Sequence, residues 1–67
     1  MELMFLNIEE VEKITGFGYP KAGGIIRGLN DELKKKGFIT HQGRVSAEYF
    51  AQRHGIALEY IKDILKK

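Results

Sequence analysis

The stretch GYPKAGGIIRGLNDELKKKG, residues 18–37, decides the fold of this chain. Its apolar residues are Ala22, Ile25, Ile26, Leu29 and Leu33. At 100° per residue they fall within an arc of about 100°, the one-sided stripe of an amphipathic helix. Pro20 suits the first turn, where a backbone amide is not needed. Lys34, Lys35 and Lys36 followed by Gly37 make a cationic last turn with a glycine stop, as the helix dipole favours. A helix over about 20–36 is therefore predicted. Pro20, Gly24, Arg27, Asp31 and Lys34 share the face opposite the stripe, with Lys21 and Gly28 at one margin. Gly23, Gly24 and Gly28 lie inside this helix, where each glycine costs roughly 1 kcal/mol relative to alanine. Close approach by another molecule and relief of crowding against a neighbouring helix both account for them.

Upstream, Asn7-Ile8-Glu9-Glu10 opens a first helix over about 8–15. Asn7 can cap it, and Glu10 three residues later can complete a capping box. Ile8, Val11 and Ile14 form its apolar stripe, and Thr15-Gly16 ends it. Two helices joined by about four residues make a helix-turn-helix. Downstream, Phe38-Ile39-Thr40, a turn at His41-Gln42-Gly43 and Arg44-Val45 read as a short hairpin, or wing. Ser46 caps a third helix, Ala47 to about Arg53, that buries Tyr49 or Phe50 and ends near Gly55. Leu58, Ile61, Ile64 and Leu65 recur at helical spacing in an extra amphipathic segment at about 56–67. The predicted fold is mainly α with a small β-hairpin: a winged helix-turn-helix in the order helix, helix, hairpin, helix, plus a C-terminal helix.

At 67 residues the chain is one small domain, 1–67, which buries only about 60% of the surface its unfolded form exposes. That length excludes a large enclosed pocket or a nucleotide-binding α/β fold. With no cysteine, neither a disulfide scaffold nor a thiolate metal site can supplement the core. No apolar run approaches the ~20 residues of a membrane span, and Met1 to Leu6 lack the basic head and apolar region of a secretory signal. A cytoplasmic location is expected. The formal net charge of +2 conceals an asymmetry. Residues 1–18 carry Lys13 against Glu2, Glu9, Glu10 and Glu12, whereas residues 19–54 carry seven Lys and Arg against three acids. A basic middle suits a polyanion, and a solvated lysine face is the plainer account.

Nothing assembles into a catalytic constellation. His41 and His54 have no His-Glu-x-x-His spacing and no third ligand, so no metal, cofactor or catalytic residue is nominated and an enzyme is not expected. A helix-turn-helix instead presents the N-terminal residues of its second helix to the DNA major groove. Here the DNA-facing candidates are Tyr19, Lys21, Gly23, Gly24 and Arg27, with His41, Gln42 and Arg44 on the wing. Arg27 can bond guanine bidentately or hold a phosphate, Lys21 suits a phosphate, and Arg44 on the wing suits a neighbouring phosphate or the minor groove.

The order Leu6-Asn7-Ile8-Glu9-Glu10-Val11, Thr15-Gly16, Ile25-Ile26-Arg27, Lys36-Gly37-Phe38-Ile39-Thr40, Gly43-Arg44-Val45 and Tyr49-Phe50 resembles the small excisionase-like winged-helix DNA-binding proteins. These belong to prophages and integrative elements of Gram-positive bacteria and are relatives of MerR-type DNA-binding domains. The resemblance covers residues 5–54. It implies double-stranded DNA binding by a recombination directionality factor or a small transcriptional regulator, with an integrase or recombinase as a partner. A nucleoid-associated monomer or weak dimer is expected, and because so small a domain makes few base contacts, cooperative loading on adjacent sites is expected too. The rival reading is a protein-interaction module, for example with an integrase, on a winged-helix scaffold with little DNA affinity. Two departures stand out. The family opens its second helix with serine or threonine and bulkier polar residues, where this chain has Gly18, Gly23 and Gly24. The family also commonly stops after the third helix, and here a further segment either closes the core against the first helix or forms a dimer seam.

Overall fold

A computed structural model describes residues 5–66; the readings for Met1 to Met4 and for Lys67 lie outside them. The elements run β1 (Phe5–Asn7), α1 (Ile8–Thr15), α2 (Tyr19–Lys35), β2 (Arg44–Ser46), α3 (Ala47–His54) and α4 (Leu58–Lys66). The fold is mainly helical, with four helices and a two-stranded antiparallel sheet among the described residues.

Local signals bound the first three helices. The expected capping box closes α1: the Glu10 amide donates to Asn7 Oδ1 at 2.8 Å, and the Asn7 amide donates to Glu10 Oε1 at 2.9 Å. Gly18 precedes α2 without a side-chain cap, and Pro20 occupies its first turn. The helix ends in a Schellman motif, with the Phe38 amide donating to Leu33 O and the Gly37 amide to Lys34 O, both at 3.0 Å. Gly37 has φ 93°, a conformation that a residue with a Cβ adopts only with strain. Ser46 Oγ caps α3 by accepting from the Tyr49 amide at 3.2 Å.

The core forms where these faces meet. Leu6, Val11, Ala22, Ile26, Val45, Phe50 and Ile61 are buried completely or nearly so. The stripe expected on α2 is buried at Ala22, Ile26, Leu29 and Leu33, with Ile25 only partly covered. Both Tyr49 and Phe50 are inside. The C-terminal segment closes the core: α4 packs on α1 and α3, and Ile61 is fully buried between them.

The expected hairpin is replaced by a different pairing. Phe38 to Thr40 form no strand, and β2 pairs instead with β1 in the register Phe5–Ser46, Leu6–Val45 and Asn7–Arg44. Only an isolated bridge between His41 and Arg44 closes the turn. Two physical causes act together. The Phe38 amide is already committed to the end of α2, so the chain is still turning where the first strand was expected. Leu6 and Val45 each point one apolar side chain into the core, whereas Ile39 has nothing to cover it and is 87% exposed.

Candidate nucleic-acid interface

The first turns of α2 and the 41–44 turn form the two walls of one groove of about 370 Å³. Tyr19, Gly23, Gly24 and Arg27 line it from α2, and Gln42 and Gly43 line it from the turn. Ile8, at the start of α1, contributes to its lining. Five of the eight residues expected to face DNA thus come together: Tyr19, Gly23, Gly24, Arg27 and Gln42.

The other three lie elsewhere. Lys21 leaves the groove and places Nζ 4.1 Å from the centroid of the Phe17 ring, a cation–π contact where the chain enters α2. His41 and Arg44 line a second hollow on the opposite flank of the same turn. The His41 ring stands edge-on to Phe5 with centroids 5.5 Å apart, and Arg44 opens β2 opposite Asn7. All three side chains are exposed.

The glycines of α2 have no crowding to relieve. A Cβ placed on Gly24 or Gly28 would have no neighbour within 4 Å, and one on Gly23 would make only an ordinary contact, 3.9 Å from Ile8 Cδ1. Their helix-weakening cost is therefore not offset by packing within the chain.

Sequence reasoning missed two residues that hold this surface in place. Asn30 is buried, and its Nδ2 donates to the carbonyls of His41 at 3.0 Å and Arg44 at 2.8 Å, so α2 grips both ends of the turn. The available signal was an asparagine at the edge of an apolar stripe, where a buried amide requires partners. The second is Glu32. Its Oε1 accepts from Arg53 Nε at 2.8 Å and from the Tyr49 hydroxyl at 2.6 Å, and its Oε2 accepts from Arg53 at 3.1 Å. The Arg53 guanidinium, then the Tyr49 hydroxyl, hold the Glu32 carboxyl down to about 2. This clip ties α2 to α3 and occupies Arg53, one of the basic residues of the middle segment.

Among the described residues no three His, Asp or Glu side chains converge as metal ligands would, and no helix is long and apolar enough to cross a membrane. No family model matches the chain, and no solved structure matches it significantly. The chain is similar to the ICEBs1 excisionase of Bacillus subtilis (strain 168), at 38% identity over 48 residues. That alignment covers 72% of this chain and 75% of the excisionase.

Proposed function

This chain belongs to the excisionase family, and we propose that it is a non-enzymatic, double-stranded DNA-binding directionality factor of a mobile element, acting with an integrase in the bacterial cytoplasm. The observation that carries this reading is the groove between the start of α2 and the 41–44 turn. It offers an exposed Arg27, an exposed Tyr19 and bare backbone at Gly24 along one face. In this reading the turn is a reduced wing, and the α1–α2 pair is the helix-turn-helix. Arg27 reads guanine or holds a phosphate, and Lys21 neutralises the adjoining backbone. Gly23 and Gly24 let a sugar-phosphate strand approach α2 more closely than any side chain would allow. Arg44 and His41 lie on the far flank of the turn, so DNA touching them as well as the groove must curve around it. Such bending is a deformation that sequence-dependent flexibility can favour.

Titration of mixed-sequence duplex DNA against salt tests this reading. Affinity should fall with salt at a log–log slope of roughly −0.9 per neutralised phosphate. Arg27→Ala and Arg44→Ala should each weaken binding, and loss of one phosphate contact should shallow the slope by about 0.9. Absence of any binding at low salt would reject the DNA reading.

A further inference from the structure

The hollow on the other flank of the 41–44 turn has a volume of about 490 Å³ and a different character from the groove. Leu33 and Tyr49 form its buried floor, and Phe5, Phe38 and Ile39 rise around it. Those three side chains are 42%, 60% and 87% exposed, a large apolar display for so small a protein. The loop that carries Phe38 and Ile39 is preformed, because the Phe38 amide is bound to Leu33 O and Asn30 holds the carbonyls of His41 and Arg44. The charge on the rim is unbalanced. Lys36 and Arg44 stand over the hollow, and Glu48 is the one carboxylate in its lining. Among the described residues the ion pair is Glu32 with Arg53; Lys36 and Arg44 form none, although Lys36 stands near enough to Glu32 to help lower its carboxyl. Lys36 Nζ rests instead 5.0 Å from the centroid of the Tyr49 ring.

We infer that this hollow is a docking site for a protein segment that carries a bulky apolar anchor flanked by Asp or Glu. The anchor enters between Phe5, Phe38 and Ile39 and displaces water from apolar surface, which provides the affinity. The flanking carboxylates meet Lys36 and Arg44, which provides orientation and discrimination against basic segments. Leu33 lies 14 residues along α2 from Tyr19, about 21 Å at 1.5 Å per residue, so the floor of the hollow is remote from the start of α2, while its rim at His41 and Arg44 adjoins the groove. The chemistry of the hollow is the same whether or not the groove takes DNA. If it does, DNA that reaches round the turn and the docked segment share Arg44, so the two compete there.

Selection of random 12-residue displayed peptides against the immobilised full chain is the test. Enriched peptides should carry Trp, Phe or Leu beside acidic residues. Amide shifts in the full chain, titrated with a synthesised winner, should cluster at Phe5, Leu33, Phe38, Ile39 and Tyr49. Ile39→Ser removes an exposed side chain and should weaken the winner about tenfold, equivalent to about 1.4 kcal/mol. Lys36→Glu should turn the selection toward basic peptides, while thermal unfolding confirms that both variants remain folded. Selected peptides without acidic enrichment, or acidic winners that bind Ile39→Ser unchanged, would overturn the inference. Concentration-dependent shifts of the same amides without peptide would overturn it in favour of a second copy of the chain as the occupant. DNA titration of Ile39→Ser separates the two readings, because this variant should bind duplex DNA as the parent does.

Discussion

Gly24→Ala and Gly28→Ala should make this protein more stable, and Gly24→Ala should also make it a poorer DNA binder. Both residues sit inside α2, and an added Cβ meets open space at each. Alanine is favoured over glycine in a helix interior by about 1 kcal/mol, partly because the unfolded chain loses freedom. For a 67-residue domain the unfolding entropy is about 140 cal/mol/K, from about 2.1 cal/mol/K per residue. One kcal/mol therefore raises Tm by about 7 °C, and the two substitutions together by somewhat less than twice that. Far-UV circular dichroism melts and urea titrations of both single variants and the double variant read this directly. Gly37→Ala is the opposite control, because φ there is 93° and alanine should lower Tm. The functional half separates the two helix positions. Gly24 lines the groove and Gly28 does not. A Cβ at Gly24 should weaken DNA binding about tenfold, equivalent to about 1.4 kcal/mol, with a smaller effect at Gly28. An unchanged or lowered Tm for both variants would refute the reasoning, because it would mean that the glycines serve packing within the chain. Raised stability with DNA affinity unchanged at Gly24 would remove close approach as the explanation.

Asn30→Leu should cost about 1–3 kcal/mol by removing the donor to the carbonyls of His41 and Arg44, leaving His41 O with the Arg44 amide, and hydrogen exchange should speed first across residues 41–45. Ile61→Ala empties a fully buried site and should cost about 2–5 kcal/mol, enough to leave much of so small a domain unfolded at 37 °C in a denaturation assay. The Glu32 carboxyl is held below its unfolded value, so its contribution is complete above about pH 4.5 and is lost as pH falls toward 2. Melts across that window should steepen in the parent relative to Glu32→Gln, and added salt should shrink the difference.

The helices were legible because their causes are local. The Asn7–Glu10 box lies within four residues, and the α2 stripe, the Ser46 cap and the glycine stops each lie within one element. The same locality misled at Phe38 to Thr40. Three β-compatible residues before a turn suggested a strand, but their first amide completes the end of α2. The partner of β2 lies some 40 residues upstream, at Phe5 to Asn7, in a segment too short to show alternation. Asn30 and Glu32 were invisible as clamps for a related reason. Their partners stand 11 to 21 residues away and are defined by which faces pack together.

The site divides along the same line. From the helix-turn-helix pattern alone, the N-terminal half of α2, with Tyr19, Lys21, Gly23, Gly24 and Arg27, is the expected DNA-facing segment, because the motif's order is set by local helix signals. Only the tertiary structure decided that Gln42 joins all of these but Lys21, while His41 and Arg44 turn to the other flank. That outcome depends on Asn30 pinning the turn to α2 and on β2 leaving the turn to pair with β1. Short-range hydrogen bonds and periodicity are properties of a segment. The side of a turn on which a residue ends up is a property of the long-range contacts that hold the turn.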